Sequence, residues 1–248
     1  SDLSDERALE FLSHTDPLQL PTPGMDRILD YQWLDPDLYT TDQRRQLRVP
    51  DVCWVRNRDV VKRFFYALIG SLFFPIDPES DMHWELVPMI IGLPQTGKSK
   101  VADQIRRVIG RANIGNVGST IEKEFPLSHV WDKMVWMTIE CENKVHNLQS
   151  EDFLKMVSGE PVTVKSKHVP QFDHEWTSRG VVFGNNFPVW MFQHTLGNSL
   201  RRAAVFFFKR TVSHSVRDNT ITQRLVQEAG VFALKCVRHY HAIAGYMR

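Results

Sequence analysis

The sequence predicts an α/β protein built on a mostly parallel central sheet, with a small helical region on its N-terminal side. Three observations carry that expectation. From Glu85 onward, short apolar runs alternate with helical stretches, the pattern left by strands joined through crossover helices. The candidate strands at 87–91, 134–139, 181–184 and 203–208 are compact apolar runs, as strands buried on both faces tend to be. A glycine-containing loop lies between the first of them and the next helical stretch.

Length and composition set the frame. A chain of 248 residues fits one large domain, or a core with a small appendage. With 42% hydrophobic and 24% charged residues it is neither disordered nor collagen-like. The longest apolar run, 64–76, is 13 residues, too short to cross a bilayer. No signal peptide is evident, and a chain starting at Ser1 reads as a piece of a longer polypeptide. Cys53, Cys141 and Cys236 lie far apart with no CxxC, which excludes a disulfide framework or zinc cluster and points to a reducing environment. The net charge of +1 conceals an asymmetry. Residues 1–60 hold 12 acidic and 7 basic side chains, and the remainder hold 17 and 23. Two functional zones account for this, and a solvated acidic surface accounts for the first equally well.

The elements follow in order. Residues 1–57 form a helical or irregular region. Ala8, Leu9, Phe11 and Leu12 make one short amphipathic stretch, and Pro17, Pro21, Pro23, Gly24 and Pro36 interrupt anything longer. Val60, Val61, Phe64, Phe65, Leu68 and Ile69 recur at helical spacing, and Gly70 and Pro75 close that helix as a core element. Pro88 is awkward in a central strand and is expected to be its first residue. Residues 220–246 read as one helix, with Thr220 and Gln223 as a capping box and Ile221, Leu225, Ala229, Phe232 and Val237 as its apolar face. His239 and His241, two apart on that helix, face different ways and do not pair as metal ligands.

The sharpest signal is Gly92-Leu93-Pro94-Gln95-Thr96-Gly97-Lys98-Ser99, a complete G-x-x-x-x-G-K-[ST] match. It follows a predicted strand and opens a predicted helix with Val101, Ile105, Val108 and Ile109 on one face, the context the motif requires. Its glycines let backbone N–H groups wrap phosphates, and the helix N-terminus adds partial positive charge. Gly92, Pro94, Gln95, Thr96, Gly97, Lys98, Ser99 and Lys100 are therefore the candidate nucleotide-binding residues. Lys98 is expected to reach the β- and γ-phosphates, and the Ser99 hydroxyl to ligate Mg²⁺.

Hydrolysis also needs a carboxylate at the end of a neighbouring strand. The run 134–139 ends in Glu140, and Glu142 follows two positions later. Glu140 is the candidate Mg²⁺ partner and activator of water, with Glu142 as a contributor through water. The run 181–184 leads into Asn185, whose amide suits hydrogen bonds to a γ-phosphate and to the attacking water. Gly184-Asn185-Asn186 is equally good turn chemistry. Arg201-Arg202 directly precede 203–208, either as a surface pair or as cations that reach a neighbouring subunit's γ-phosphate. Residues 143–146 read Asn-Lys-Val-His and lack the Asp that guanine recognition needs, which sets a GTPase aside.

This order of motifs across 92–208 resembles superfamily 3 helicases of the AAA+ class. Ser158-Gly159-Glu160-Pro161-Val162-Thr163-Val164, followed by Lys165-Ser166-Lys167-His168, narrows the likeness. It is similar to the Ser-Gly-Glu stretch and basic loop of primase–helicases from poxviruses and other large DNA viruses that replicate in the cytoplasm. In those proteins a Gly-Asn-x-x-Pro element, here Gly184 to Pro188, and an Arg-Arg pair before a Phe-rich strand come next. The likeness spans about residues 58–212, and in one respect the chain departs from it. Many members have two adjacent acids where this chain reads Glu140-Cys141-Glu142.

The resemblance implies an AAA+ P-loop ATPase domain over 58–248, with 1–57 as collar or linker. It implies a homohexameric ring that binds ATP and Mg²⁺ between subunits, with Lys98, Glu140, Asn185 and Arg202 as catalytic residues and Arg202 supplied by the adjacent subunit. A hairpin over 162–169 would grip single-stranded or forked DNA through Lys165, Lys167 and His168. A primase domain would lie upstream, and the setting would be a viral replication site in the host cytoplasm, the nucleus being the alternative, with no membrane partner. Two other readings share the ATP site: a non-helicase P-loop DNA motor or loader, and a DNA-binding or oligomerisation module with weak ATPase activity.

Overall fold

In the computed structural model, residues 20–117, 127–139, 150–166, 169–188 and 196–244 are described. Seven strands occur among them: β1 (Val87–Gly92), β2 (Ile114–Asn116), β3 (Val135–Thr138), β4 (Pro161–Ser166), β5 (Val169–Glu175), β6 (Arg179–Gly184) and β7 (Ala203–Phe208). Five make one sheet in the order β2–β3–β6–β1–β7, with every pairing parallel. β4 and β5 form a separate antiparallel hairpin. The helices are α1 (Pro23–Gln32), α2 (Thr41–Leu47), α3 (Arg58–Ser71), α4 (Lys98–Ile109), α5 (Ser150–Ser158), α6 (Leu196–Leu200), α7 (Ile221–Gln227) and α8 (Ala229–Ala244). None of the described helices is long and apolar enough to cross a membrane.

Both faces of the sheet are covered, which is why its strands read as continuous apolar runs. Successive side chains alternate between the faces. On one side Ile90, Val135, Met137, Phe183, Phe206 and Phe208 meet α1, α3, α4 and α8 through Met25, Leu29, Phe65, Leu68, Val101, Ile105 and Phe232. On the other, Val87, Met89, Ile91, Trp136 and Val182 meet α5 and the root of the hairpin through Phe153, Met156, Val162 and Trp176. Trp33, just after α1, packs within 6 Å of the rings of Phe65, Phe206 and Phe208. Residues 25–33 thus share the main core.

Four local expectations are corrected. The last helix is two, α7 and α8, interrupted at Glu228. Thr220 forms no capping box: its N–H and hydroxyl both donate to Asp218 Oδ1, at 2.8 and 2.6 Å, so the hydroxyl is committed elsewhere. Pro88 is the second residue of β1, tolerated because pairing with β6 begins only at Met89. Val60 lies in the first turn of α3 and is 62% exposed, so the core-facing side of that helix begins with the partly buried Val61 and Phe64.

Candidate nucleotide-binding cleft

The loop 93–97 leaves the C-terminal end of β1 and leads into the first turn of α4. Gly92 ends the strand against β7: a Cβ there would fall 1.7 Å from the Phe208 carbonyl oxygen, so only glycine fits this approach. Gln95 and Gly97 both have positive φ, 58° and 96°, which curls the loop. Thr96 is buried, and its hydroxyl donates to the Leu93 carbonyl at 2.8 Å. The Lys98 ammonium lies inside the curl, donating to the carbonyls of Gly92 (2.7 Å) and Leu93. Burial and the Lys209 ammonium hold its pKa below the ordinary lysine value. An anion in the loop would offset this shift by Coulombic attraction.

A cleft of about 910 Å³ opens over this loop. Pro94, Gln95, Thr96, Gly97, Lys98, Ser99 and Lys100 all line it. Register explains the next member. Ile91 pairs with Gly184, so Asn185 follows directly at the end of β6, beside Gly92, and half-buried Asn185 lines the same cleft. Ligands of parallel α/β sheets gather at these carboxyl ends of the strands. Ile139, after β3, also lines the cleft.

The remaining walls come from parts of the chain without a sequence motif. Ile28 and Tyr31 of α1 form one, and residues 212–222, the strap after β7, form another. Buried Gln32 ties them together: its amide donates to Thr96 O (3.0 Å) and Arg210 O (2.7 Å), and its Oε1 accepts from Arg210 N (2.9 Å). Val212 N donates to Gln95 O at 2.9 Å, and Lys100 Nζ donates to Thr222 Oγ1 at 2.8 Å. No local signal marks Gln32; only the fold shows what it holds.

Helix α1 is itself anchored by a buried ionic network. Glu228, freed by the α7–α8 break, accepts from Gly24 N (2.8 Å) and Met25 N (2.7 Å), capping the first turn of α1. Burial raises its pKa against the pull of those N–H groups. Asp26 accepts from Lys62 (2.9 Å), Lys235 (3.1 Å) and Tyr66 (2.8 Å). Burial pushes the Asp26 carboxyl up, but the ammonium groups of Lys62 and Lys235 prevail and its pKa is lowered.

Arg202 is not at this cleft. Val87 pairs with Ala203, so Arg202 lies at the opposite end of the sheet, about 20 Å away at 3.3 Å per residue. It is buried, pairs with Glu85 at 2.8 Å and donates to Ser158 Oγ at 2.9 Å, whereas Arg201 is exposed. The β4–β5 hairpin directs Val162 and Val164 inward and leaves Thr163 and Lys165 exposed. Its inner side meets Trp131, which packs edge-on against Phe172 and His174 at 5.3 Å. Glu140, Glu142, Lys167 and His168, together with the stretch at Ala8–Leu12, lie outside the described residues.

These observations define a class: an α/β protein with a five-stranded parallel sheet and a glycine-curled loop, carrying Lys98 and Lys100, at the end of an inner strand. Residues 90–202 match the model of DUF5906, a family of unknown function. None of the curated proteins matches. The chain is similar in fold to the apo C-terminal region of NrS-1, with a TM-score of 0.52 and 12% identity over 91% of this chain and 51% of that one. A second apo structure of the same region gives 0.53 and 12% over 88% and 48%. The chain therefore spans about half the length of the structures it matches.

Proposed function

We propose that this chain is the ATP-hydrolysing DNA helicase motor of a viral replication protein, an AAA+ ATPase of superfamily 3 acting as a homohexameric ring on single-stranded or forked DNA. The observation that carries the reading is the convergence of Lys98, Ser99 and Asn185 in one cleft, at the ends of two adjacent parallel strands. The curled loop, the Lys98 ammonium and the Ser99 hydroxyl fit the phosphates of ATP and a bound Mg²⁺. Mg²⁺, when present, offsets phosphate charge. Lys98 holds the phosphates, Asn185 orients the attacking water, and Glu140, next in the chain after cleft-lining Ile139, accepts its proton, with Glu142 close in sequence.

A cation from the arginine pair serves a neighbouring subunit, because it is too far from its own cleft. Sequence order favours Arg202 for that reach. Its commitment to Glu85 and Ser158 favours Arg201 instead, with Arg202 fixing the turn that presents it. The hairpin grips DNA near its tip through Lys165, Lys167 and His168, since Asp173 and Glu175 make the root acidic. A primase domain upstream and a replication site in the infected cell, cytoplasmic or nuclear, belong to the same reading.

The test is unwinding of a forked duplex by the wild type and by the double variant Lys165→Ala, Lys167→Ala. The variant is expected to bind single strands more weakly and to lose unwinding while still binding ATP. Full unwinding by the variant contradicts the hairpin assignment.

A further inference from the structure

Apart from its phosphate loop, the cleft has a second half that the motif does not explain. Its lining continues from Gly97 and Lys98 onto Ile28 and Tyr31 of α1 and onto Val212, Val216 and Ile221 of the strap. Several features mark these residues as a built surface. A Cβ on Gly97 would lie 3.3 Å from Ile28 Cγ2, so α1 sits directly on the phosphate loop. Tyr31 is held in place: the Arg210 guanidinium lies over its ring, 4.1 Å from the centroid, and its hydroxyl donates to Thr211 O at 2.8 Å. Val216 is 50% exposed although it lines a cleft, and an apolar side chain left open at the mouth of a concave site suits a ligand that covers it. Arg27 reaches across to Asp218 at 3.5 Å, closing one side of the mouth.

We propose that α1 and the strap form the nucleoside half of the site, in which a flat base lies between Ile28 and Tyr31 on one side and Val212, Val216 and Ile221 on the other. This inference rests on the nucleotide reading above and adds the base subsite to it. The consequence is that residues 23–32 belong to the ligand site in the same subunit, so a collar or linker role does not describe them. The apolar walls stack a base without reading its edge, and affinity divides into a phosphate part held by the loop and a base part held by α1 and the strap. Gln32 and Glu228 are positioning residues here, because they hold α1 against the loop and strap without facing the ligand.

Binding of Mg·ATP and of magnesium tripolyphosphate to the 248-residue chain, by calorimetry, separates the two parts. Tripolyphosphate supplies the phosphates and lacks the base. Val216→Asp places a carboxylate at an exposed position and is compatible with folding; Ile28→Ala trims the opposite wall, and thermal unfolding checks that both variants are folded. Each is expected to weaken Mg·ATP about tenfold and to leave tripolyphosphate within about twofold, whereas Lys98→Ala weakens both ligands. Val216→Asp and Ile28→Ala binding Mg·ATP like the wild type overturns the base subsite while leaving the phosphate loop standing. Equal losses for both ligands in the folded variants also overturn it. A wild type that binds neither ligand overturns the nucleotide reading itself.

Discussion

The cleft and the hairpin are built in opposite ways. The cleft draws its walls from the two ends of the described chain: Gln32 meets Arg210 across 178 positions, and Gly24 meets Glu228 across 204. The hairpin pairs within fifteen residues, and its inner side packs on the rest of the domain through Val162, Phe172 and His174. A site assembled from distant segments is fixed only when the whole domain is folded. The hairpin's pairing is local, and exposed Lys165 lies on its outer side, away from the cleft's walls. Stability and nucleotide affinity should therefore be coupled in this molecule, and DNA binding should be separable from both.

The strongest way to break that comparison is at the ionic anchor of α1. Asp26→Asn leaves the buried Lys235 ammonium without a carboxylate, with only the Thr22 hydroxyl as acceptor, while Lys62 keeps Asp30 at 3.0 Å. The expected loss is about 3–5 kcal/mol in urea unfolding, with nucleotide affinity falling alongside. The pH dependence has a definite sign. The pKa of Asp26 is lowered on folding, so its contribution is complete above about pH 4 and is lost as pH falls through the folded value. Glu228, raised by burial, acts in the opposite sense. The difference between wild type and Asp26→Asn therefore isolates the Asp26 effect: it should shrink on acidification.

A smaller effect is expected at the loop. Gly97→Ala forces an L side chain into φ 96° against Ile28. It should cost about 1–2 kcal/mol of stability, together with a loss of phosphate affinity, read by thermal unfolding with and without tripolyphosphate. On the hairpin, Lys165→Ala with Lys167→Ala should leave the unfolding midpoint unchanged. The salt dependence of single-strand binding should flatten by about 1.4 in log–log slope, roughly 0.7 for each DNA phosphate that the variant no longer neutralises. The smallest effect is that of Thr163→Ala, which removes the exposed hydrogen bond to Asp173 at 2.7 Å. It should change stability by no more than about 0.5 kcal/mol.

What the sequence disclosed follows the same division. Strands β1, β3, β6 and β7, the loop at 92–99 and the buried face of α4 at Val101, Ile105 and Ile109 are written in contiguous residues. The alternation of Val162 and Val164 with exposed Thr163 and Lys165 is also local. By contrast, α1 looks in the sequence like an irregular, proline-interrupted segment, and its buried Gln32 is meaningful only beside Thr96 and Arg210. The strap has no motif at all. The two arginines are neighbours in sequence, yet one is exposed and the other is locked to Glu85, a distinction that no spacing rule contains. The capping box at Thr220 fails for the same kind of reason, because Asp218 competes for the hydroxyl.

In the proposed motor, the Lys98 cleft turns over ATP in response to DNA gripped elsewhere. Steady-state ATP hydrolysis, with and without single-stranded DNA, tests it in wild type and Lys98→Ala. Single-stranded DNA is expected to stimulate turnover in the wild type, and the variant to lose about 100-fold or more under both conditions. Wild-type turnover that DNA leaves unchanged, or a Lys98→Ala variant that hydrolyses ATP like the wild type, would contradict it.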